Sequence, residues 1–136
     1  MSSEAITRND LKAILEGLGL SPSAYIVEQG TSGIWTYRKW SDGTAECWGR
    51  ASSSSFTWSS YVNGLYYNSN NWLISLPFAF ADSNYTVTAN TYYVGGAVGW
   101  VANSNAYDSS TFKLTIVRNG NSGDVYVNLN VKGRWK

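Results

Sequence analysis

The sequence predicts an all-β protein, an antiparallel β-sandwich with a jelly-roll-like head, preceded by one short helix. Three observations carry this. Apolar residues alternate with period two along short segments, most clearly Phe112-Leu114-Ile116 and Val125-Val127-Leu129-Val131. Turn pairs such as Asp42-Gly43 and Asn63-Gly64 recur between these segments. Helical periodicity is confined to the N-terminal stretch, and frequent turns between short strands favour a sandwich.

The helix lies in "ITRNDLKAILEGLGLSP". Thr7 is placed to cap it, Asp10 supplies the acidic half of a capping box, and Ile6 with Leu11 forms a hydrophobic staple. Leu11, Ile14, Leu15 and Leu18 form one apolar stripe, Gly19 is placed for a left-handed C-cap, and Pro22 prevents continuation. So short a helix must pack on something, either its own sheet or copies of itself around a threefold axis. Residues 1–22 therefore read as a helical stem and 23–136 as the head.

Tyr25 to Gln29 reads as the first strand, and "GTSG" turns the chain into "WTYRKWSDGTAECWGR". Asp-Gly is a favoured pair for a two-residue type I′ turn, which would set Ser41 opposite Thr44, Lys39 opposite Glu46, Tyr37 opposite Trp48 and Trp35 opposite Arg50. In that register the charges find partners inside the hairpin, and the segment is scaffold. Ser52 to Ser55 reads as a loop. Trp72, Ile74, Leu76, Phe78 and Phe80 alternate, with Pro77 marking an edge or a bulge. Tyr85 to Thr88 and Tyr92 to Val94 are short strands, "GGAVGW" is a glycine-rich link, and "NGNSGD" turns between the last two strands.

The 136 residues suit one domain, burying roughly two-thirds of the surface its unfolded chain exposes. Only 14% are charged, against a usual quarter or so, and the net charge is +1. Neither nucleic acid nor an anionic membrane finds an electrostatic footprint here, and no apolar run approaches a membrane span. The N-terminal text has no secretory signature. Cys47 is alone, which excludes an intramolecular disulfide, and its strand context makes it buried filler.

Catalysis finds little material. The chain has no histidine, so Ser-His and Cys-His pairs and the common zinc sites are excluded. Of nine acidic residues, Glu4, Asp10 and Glu16 belong to the stem, Asp42 to a turn, and Glu46 pairs with Lys39. Glu28, Asp82, Asp108 and Asp124 remain, without a motif for paired-carboxylate chemistry. "VGGAVGW" lacks the lysine of a phosphate-binding loop. No enzymatic activity, cofactor or metal is expected.

Binding has better material, because sugars stack their C–H faces on aromatic rings and bond their hydroxyls to amides. Two loop-like segments carry that mixture, Tyr66 to Trp72 and Val101 to Ser110. Tyr67, Asn70, Asn71 and Trp72 from the first and Asn103, Asn105, Tyr107 and Asp108 from the second are the candidate ligand-binding residues.

Three segments carry a resemblance. "WTYRKWSDGTAECWG" resembles a segment of phage and prophage tail proteins. "WLISLPFAFADSNYTVTAN" resembles a strand pair of phage tail-fibre C-terminal domains, and "VKGRWK" is similar to their basic-aromatic ends. The resemblance covers most of the chain after Pro22, includes no catalytic motif, and departs from long fibres in lacking a shaft. It implies a tail-fibre tip or receptor-binding domain in the virion, assembled in the bacterial host cytoplasm. The implied partners are two further copies of the chain in a homotrimer, other phage tail proteins and a bacterial surface polysaccharide. Two alternatives stand beside it: a purely structural tail or assembly domain, and a free-standing carbohydrate-binding module.

Overall fold

The computed structural model of the chain describes residues 8–18 and 24–136. The helix α1 spans Arg8–Gly17, closed at its end by Leu18 N–H donating to the Ile14 carbonyl at 3.1 Å. Leu11, Ile14 and Leu18 are all exposed, so neither sheet covers this part of the stripe. The Leu15 side chain and the expected caps at Ile6, Thr7, Gly19 and Pro22 lie outside the described residues.

Ten strands follow among the described residues: β1 (Ile26–Ser32), β2 (Trp35–Trp40), β3 (Thr44–Ser53), β4 (Trp58–Ser60), β5 (Tyr66–Asn68), β6 (Trp72–Ser75), β7 (Thr86–Val94), β8 (Gly99–Ala106), β9 (Thr111–Arg118) and β10 (Val125–Arg134). They form two antiparallel sheets. The first runs β1-β2-β3-β10-β7. In the second, β9 is central, with β8 along one edge and β5 and β6 in succession along the other, β4 lying outside β5. The expected all-β sandwich is the fold observed.

The core lies between the sheets where the alternation placed it. Val125, Val127, Leu129 and Val131 of β10 meet Phe112, Leu114 and Ile116 of β9, all essentially without solvent contact. The inner face of β3 is built from Ala45, Cys47, Gly49 and Ala51, small residues that leave room for Trp35. Trp35 meets Phe112 edge-on at 6.1 Å, and its indole N–H donates to the Ser75 carbonyl at 2.8 Å, tying the two sheets together. At Gly49 a Cβ would collide with the Ile34 carbonyl, so only glycine fits.

Several boundaries differ from the sequence reading. The β2–β3 loop has three residues rather than two. Gly43 N–H donates to the Trp40 carbonyl at 3.1 Å, and Gly43 alone takes positive φ, +94°. Asp42 instead uses its carboxylate to accept from Thr44 N–H at 2.9 Å and from its hydroxyl at 2.7 Å. Such a side-chain-bonded turn followed by a left-handed glycine is the next commonest hairpin solution. The register shifts by one residue, so Tyr37 opposes Cys47, Arg38 opposes Glu46 and Lys39 opposes Ala45. Lys39 then pairs with Glu28 of β1 at 2.8 Å, not with Glu46, and Trp35 is core rather than a platform for Arg50.

The turn before this hairpin is Gly33-Ile34 (Gly33 φ +58°), with Thr31 and Ser32 still in β1. Ser52 and Ser53 extend β3 against β10 instead of forming a loop. Strand β6 stops at Ser75, because Leu76 N–H already turns to the Ser110 carbonyl and Pro77 has no N–H for a ladder. The two short strands expected around Thr88 and Tyr93 are one strand, β7, bulged opposite Tyr126 and Val127. The Asn63-Gly64 turn is as expected: both residues have positive φ, and Leu65 N–H closes on the Val62 carbonyl at 2.9 Å. The C-terminal segment folds back on the β2–β3 turn, where Trp135 donates through its backbone N–H to Gly43 O and through Nε1 to Trp40 O, each at 2.9 Å.

Candidate functional site

The outer face of the second sheet follows from the β8–β9 register. Trp100 opposes Val117 and Val101 opposes Ile116, but the next pair is Asn103 with Thr115, because Ala102 is left unpaired in a bulge. In an unbroken strand an even and an odd position face opposite ways; the extra residue brings Trp100 and Asn103 onto one face. On the other edge of β9, Tyr67 also opposes Val117. Two large rings thus flank one valine.

Val117 is only 5% exposed although it faces away from the inter-sheet core. What covers it is Tyr67, Trp100 and Tyr61, the last carried by the β4–β5 loop and meeting Tyr67 edge-on at 6.0 Å. The turn at Asn63-Gly64 and the bond from Tyr61 N–H to the Leu65 carbonyl, 2.9 Å, hold that loop in place. These residues with Ala102, Asn103 and Thr115 enclose a cavity of about 420 Å³. Tyr61 and Trp100 remain 65% and 47% exposed, so the rings are open to a ligand rather than consumed by the core.

The chemistry of this lining is stacking plus neutral hydrogen bonding. It offers two phenols, an indole, an amide and a hydroxyl, and it holds no carboxylate, amine or thiol. Cys47 lies in the core, where burial pushes its thiol up to about 12. A second concavity of about 440 Å³, against the first sheet, is lined by Glu46, Lys132 and Arg134 with Trp40. It has a single ring and several charges, so it offers less aromatic surface than the first.

Of the residues expected from sequence, Tyr67 and Asn103 line the cavity. Asn105 lies on the same face further along, opposite Lys113. The others are elsewhere. The Asn70 amide is used by the fold, accepting from Thr57 N–H at 2.8 Å and donating to the Ser55 carbonyl at 2.9 Å. Trp72 opposes Leu114, packs edge-on to Phe56 at 5.0 Å and joins the rim of the core. Asn71 is exposed between β5 and β6. Tyr107 is exposed in the β8–β9 turn, and the Asp108 carboxylate accepts from Ser110 N–H at 2.8 Å, which holds it below the usual carboxylate range. Val101 to Ala106 is strand, not loop.

Tyr61, Trp100, Ala102, Thr115 and Val117 were not singled out. The Asn63-Gly64 turn was a usable signal for Tyr61, because it pairs the flanking segments. Nothing in the text announces the bulge at Ala102, on which the placing of Trp100 beside Asn103 depends.

No family model and no curated protein sequence matches the chain. Two solved structures are similar to it. One is an N-truncated R1-type pyocin tail fibre, with TM-score 0.52, 14% identity, and coverage of 95% of this chain and 98% of that one. The other is a C-terminal portion of the P. aeruginosa R1 pyocin fibre, with TM-score 0.50 and 14% identity, matched over 95% of this chain and 32% of that one. At this identity the likeness concerns architecture, and the chain has the fold of these pyocin tail-fibre structures.

Proposed function

We propose that the chain is the tip domain of a phage-type tail fibre that attaches to a bacterial surface glycan without cleaving it, and that the Tyr61–Tyr67–Trp100 cavity is the attachment site. The observation that carries the reading is this cavity: three aromatic rings around an apolar floor, with an amide and a hydroxyl at the side, on a tail-fibre fold. A pyranose presents an apolar C–H face to such rings and hydroxyls to such polar groups. The lining lacks the pair of carboxylates that glycoside hydrolysis ordinarily uses, which supports binding over hydrolysis. The exposed stripe of Leu11, Ile14 and Leu18 supports assembly through the stem as a homotrimer, in the virion tail with other tail proteins, after synthesis in the host cytoplasm.

The test is adsorption of the purified domain to a panel of bacterial cells and their extracted polysaccharides, with its mass in solution measured by light scattering. Trp100→Ala is expected to weaken adsorption about tenfold or more while leaving the folded protein intact. Equal adsorption by Trp100→Ala and Tyr61→Ala would remove the cavity from the account. Release of shortened saccharides would remove the non-catalytic reading.

A further inference from the structure

The outer face of the second sheet continues beyond the cavity. Along β9, Val117, Thr115 and Lys113 follow one another on this face, and the rows they define are Tyr67–Val117–Trp100, Thr115–Asn103 and Leu73–Lys113–Asn105. Leu73 and Asn105 are exposed on either side of Lys113. The lysine has neither an ion pair nor a side-chain hydrogen bond among the described residues.

Strands β4, β5, β6, β8 and β9 contain no carboxylate, and their charged residues are Lys113 and Arg118. Arg118 is buried, donating to the Gly95 carbonyl at 2.8 Å and lying over Trp58 at 5.1 Å. Lys113 is therefore the one cation that this sheet presents outward, on a face with no strand carboxylate to repel an anion. The acidic residue of the adjoining β8–β9 turn, Asp108, is occupied by the N–H and the hydroxyl of Ser110.

Resting on the glycan-binding reading above, we infer that the ligand is an acidic oligosaccharide, with one sugar in the ring-lined cavity and an anionic substituent further along the chain held by Lys113. The spacing fits this. Lys113 lies four positions along the strand from Val117, about 13 Å, room for more than one sugar ring. Thr115 and Asn103, at the side of the cavity, lie on the path between, and Leu73 and Asn105 flank Lys113. A single partly exposed amine contributes modestly to affinity, and its share falls as salt screens it. It supplies selection between charged and neutral polymers, while the rings supply most of the attachment.

The experiment uses a printed panel of bacterial surface oligosaccharides, each acidic member accompanied by its carboxyl-reduced or dephosphorylated form, read at low and high salt. The wild-type domain is expected to hold the acidic form about two- to fivefold more tightly at low salt. Lys113→Gln should abolish that preference and its salt dependence without weakening the neutral form, and Trp100→Ala should weaken both. Loss of preference on carboxyl reduction or on dephosphorylation identifies the anion. If Lys113→Gln leaves the preference intact, or wild type holds both forms equally, the inference fails while a Trp100→Ala defect still upholds glycan binding. If neither variant alters retention, both readings fall. Self-association of the domain that Trp100→Ala abolishes would assign the face to a second copy of the chain and overturn the inference.

Discussion

The two sheets use the same kinds of residue on their outer faces and arrange them to opposite effect. On the first, two arginines are matched. The Arg50 guanidinium lies 3.6 Å over the Tyr92 ring and donates to Asn128 Oδ1 at 3.0 Å, and Arg38 lies 5.2 Å over Trp48. Tyr93 and Tyr126 pack edge-on at 5.9 Å. On the second, three rings surround a void, and Lys113 stands alone. Aromatic strands become scaffold when neighbouring groups occupy their faces, and keep those faces open when a bulge and a loop hold the rings apart. Composition alone does not distinguish the two cases.

The sharpest way to separate the sheets is a pair of tryptophans. Trp35, 4% exposed and bonded to Ser75, joins the sheets; Trp35→Ala should cost about 3–5 kcal/mol. Trp100 stands on the open face with about half its side chain over Val117, and Trp100→Ala should cost about 1–2 kcal/mol, less than Trp35→Ala, while impairing adsorption. Urea midpoints of both variants check this, and a large midpoint shift for Trp100→Ala would make the second face structural as well.

The shared core has a pH signature. Burial pushes the Cys47 thiol up to about 12, and burial together with the Asp108 charge pushes the Tyr85 phenol up to about 12. An unfolded chain releases these protons from about pH 9 upward, whereas the folded chain keeps them. Stability should therefore be full below pH 9 and fall as pH rises toward 12, by about 1.4 kcal/mol per unit for the thiol alone. Urea titrations from pH 8 to 11 measure this. Cys47→Ala should start less stable and decline less steeply, and an unchanged slope would contradict a buried thiol.

The smallest effect belongs to the matched charges of the first sheet. Arg50→Ala removes a cation–aromatic stack and one hydrogen bond at an exposed site, and should cost about 0.5–1 kcal/mol with no change in adsorption. A glycan-binding defect in this variant would move recognition to the first sheet and dissolve the contrast.

Much of the sandwich was legible beforehand because its signals are local. Period-two alternation in β9 and β10 put the right side chains in the core, and Asn63-Gly64 and "NGNSGD" turned where their backbone chemistry requires. The site was legible only in part. Tyr67 and Asn103 were named, but Asn70 and Trp72 have the same composition and are used by loop and core. The hairpin register also escaped, because Asp-Gly serves both two-residue and three-residue loops, and one residue exchanges every partner across the strands.

What the chain by itself determined is a neutral, aromatic, histidine-free β framework, because composition and periodicity follow directly from residue order. What only the tertiary structure decided is which rings stay open. That depends on a single unpaired residue at Ala102, on β5 meeting β9 opposite Val117, and on a loop that brings Tyr61 over both. Those juxtapositions join positions far apart in sequence, and their energies are set by packing in three dimensions, where no local pattern records them.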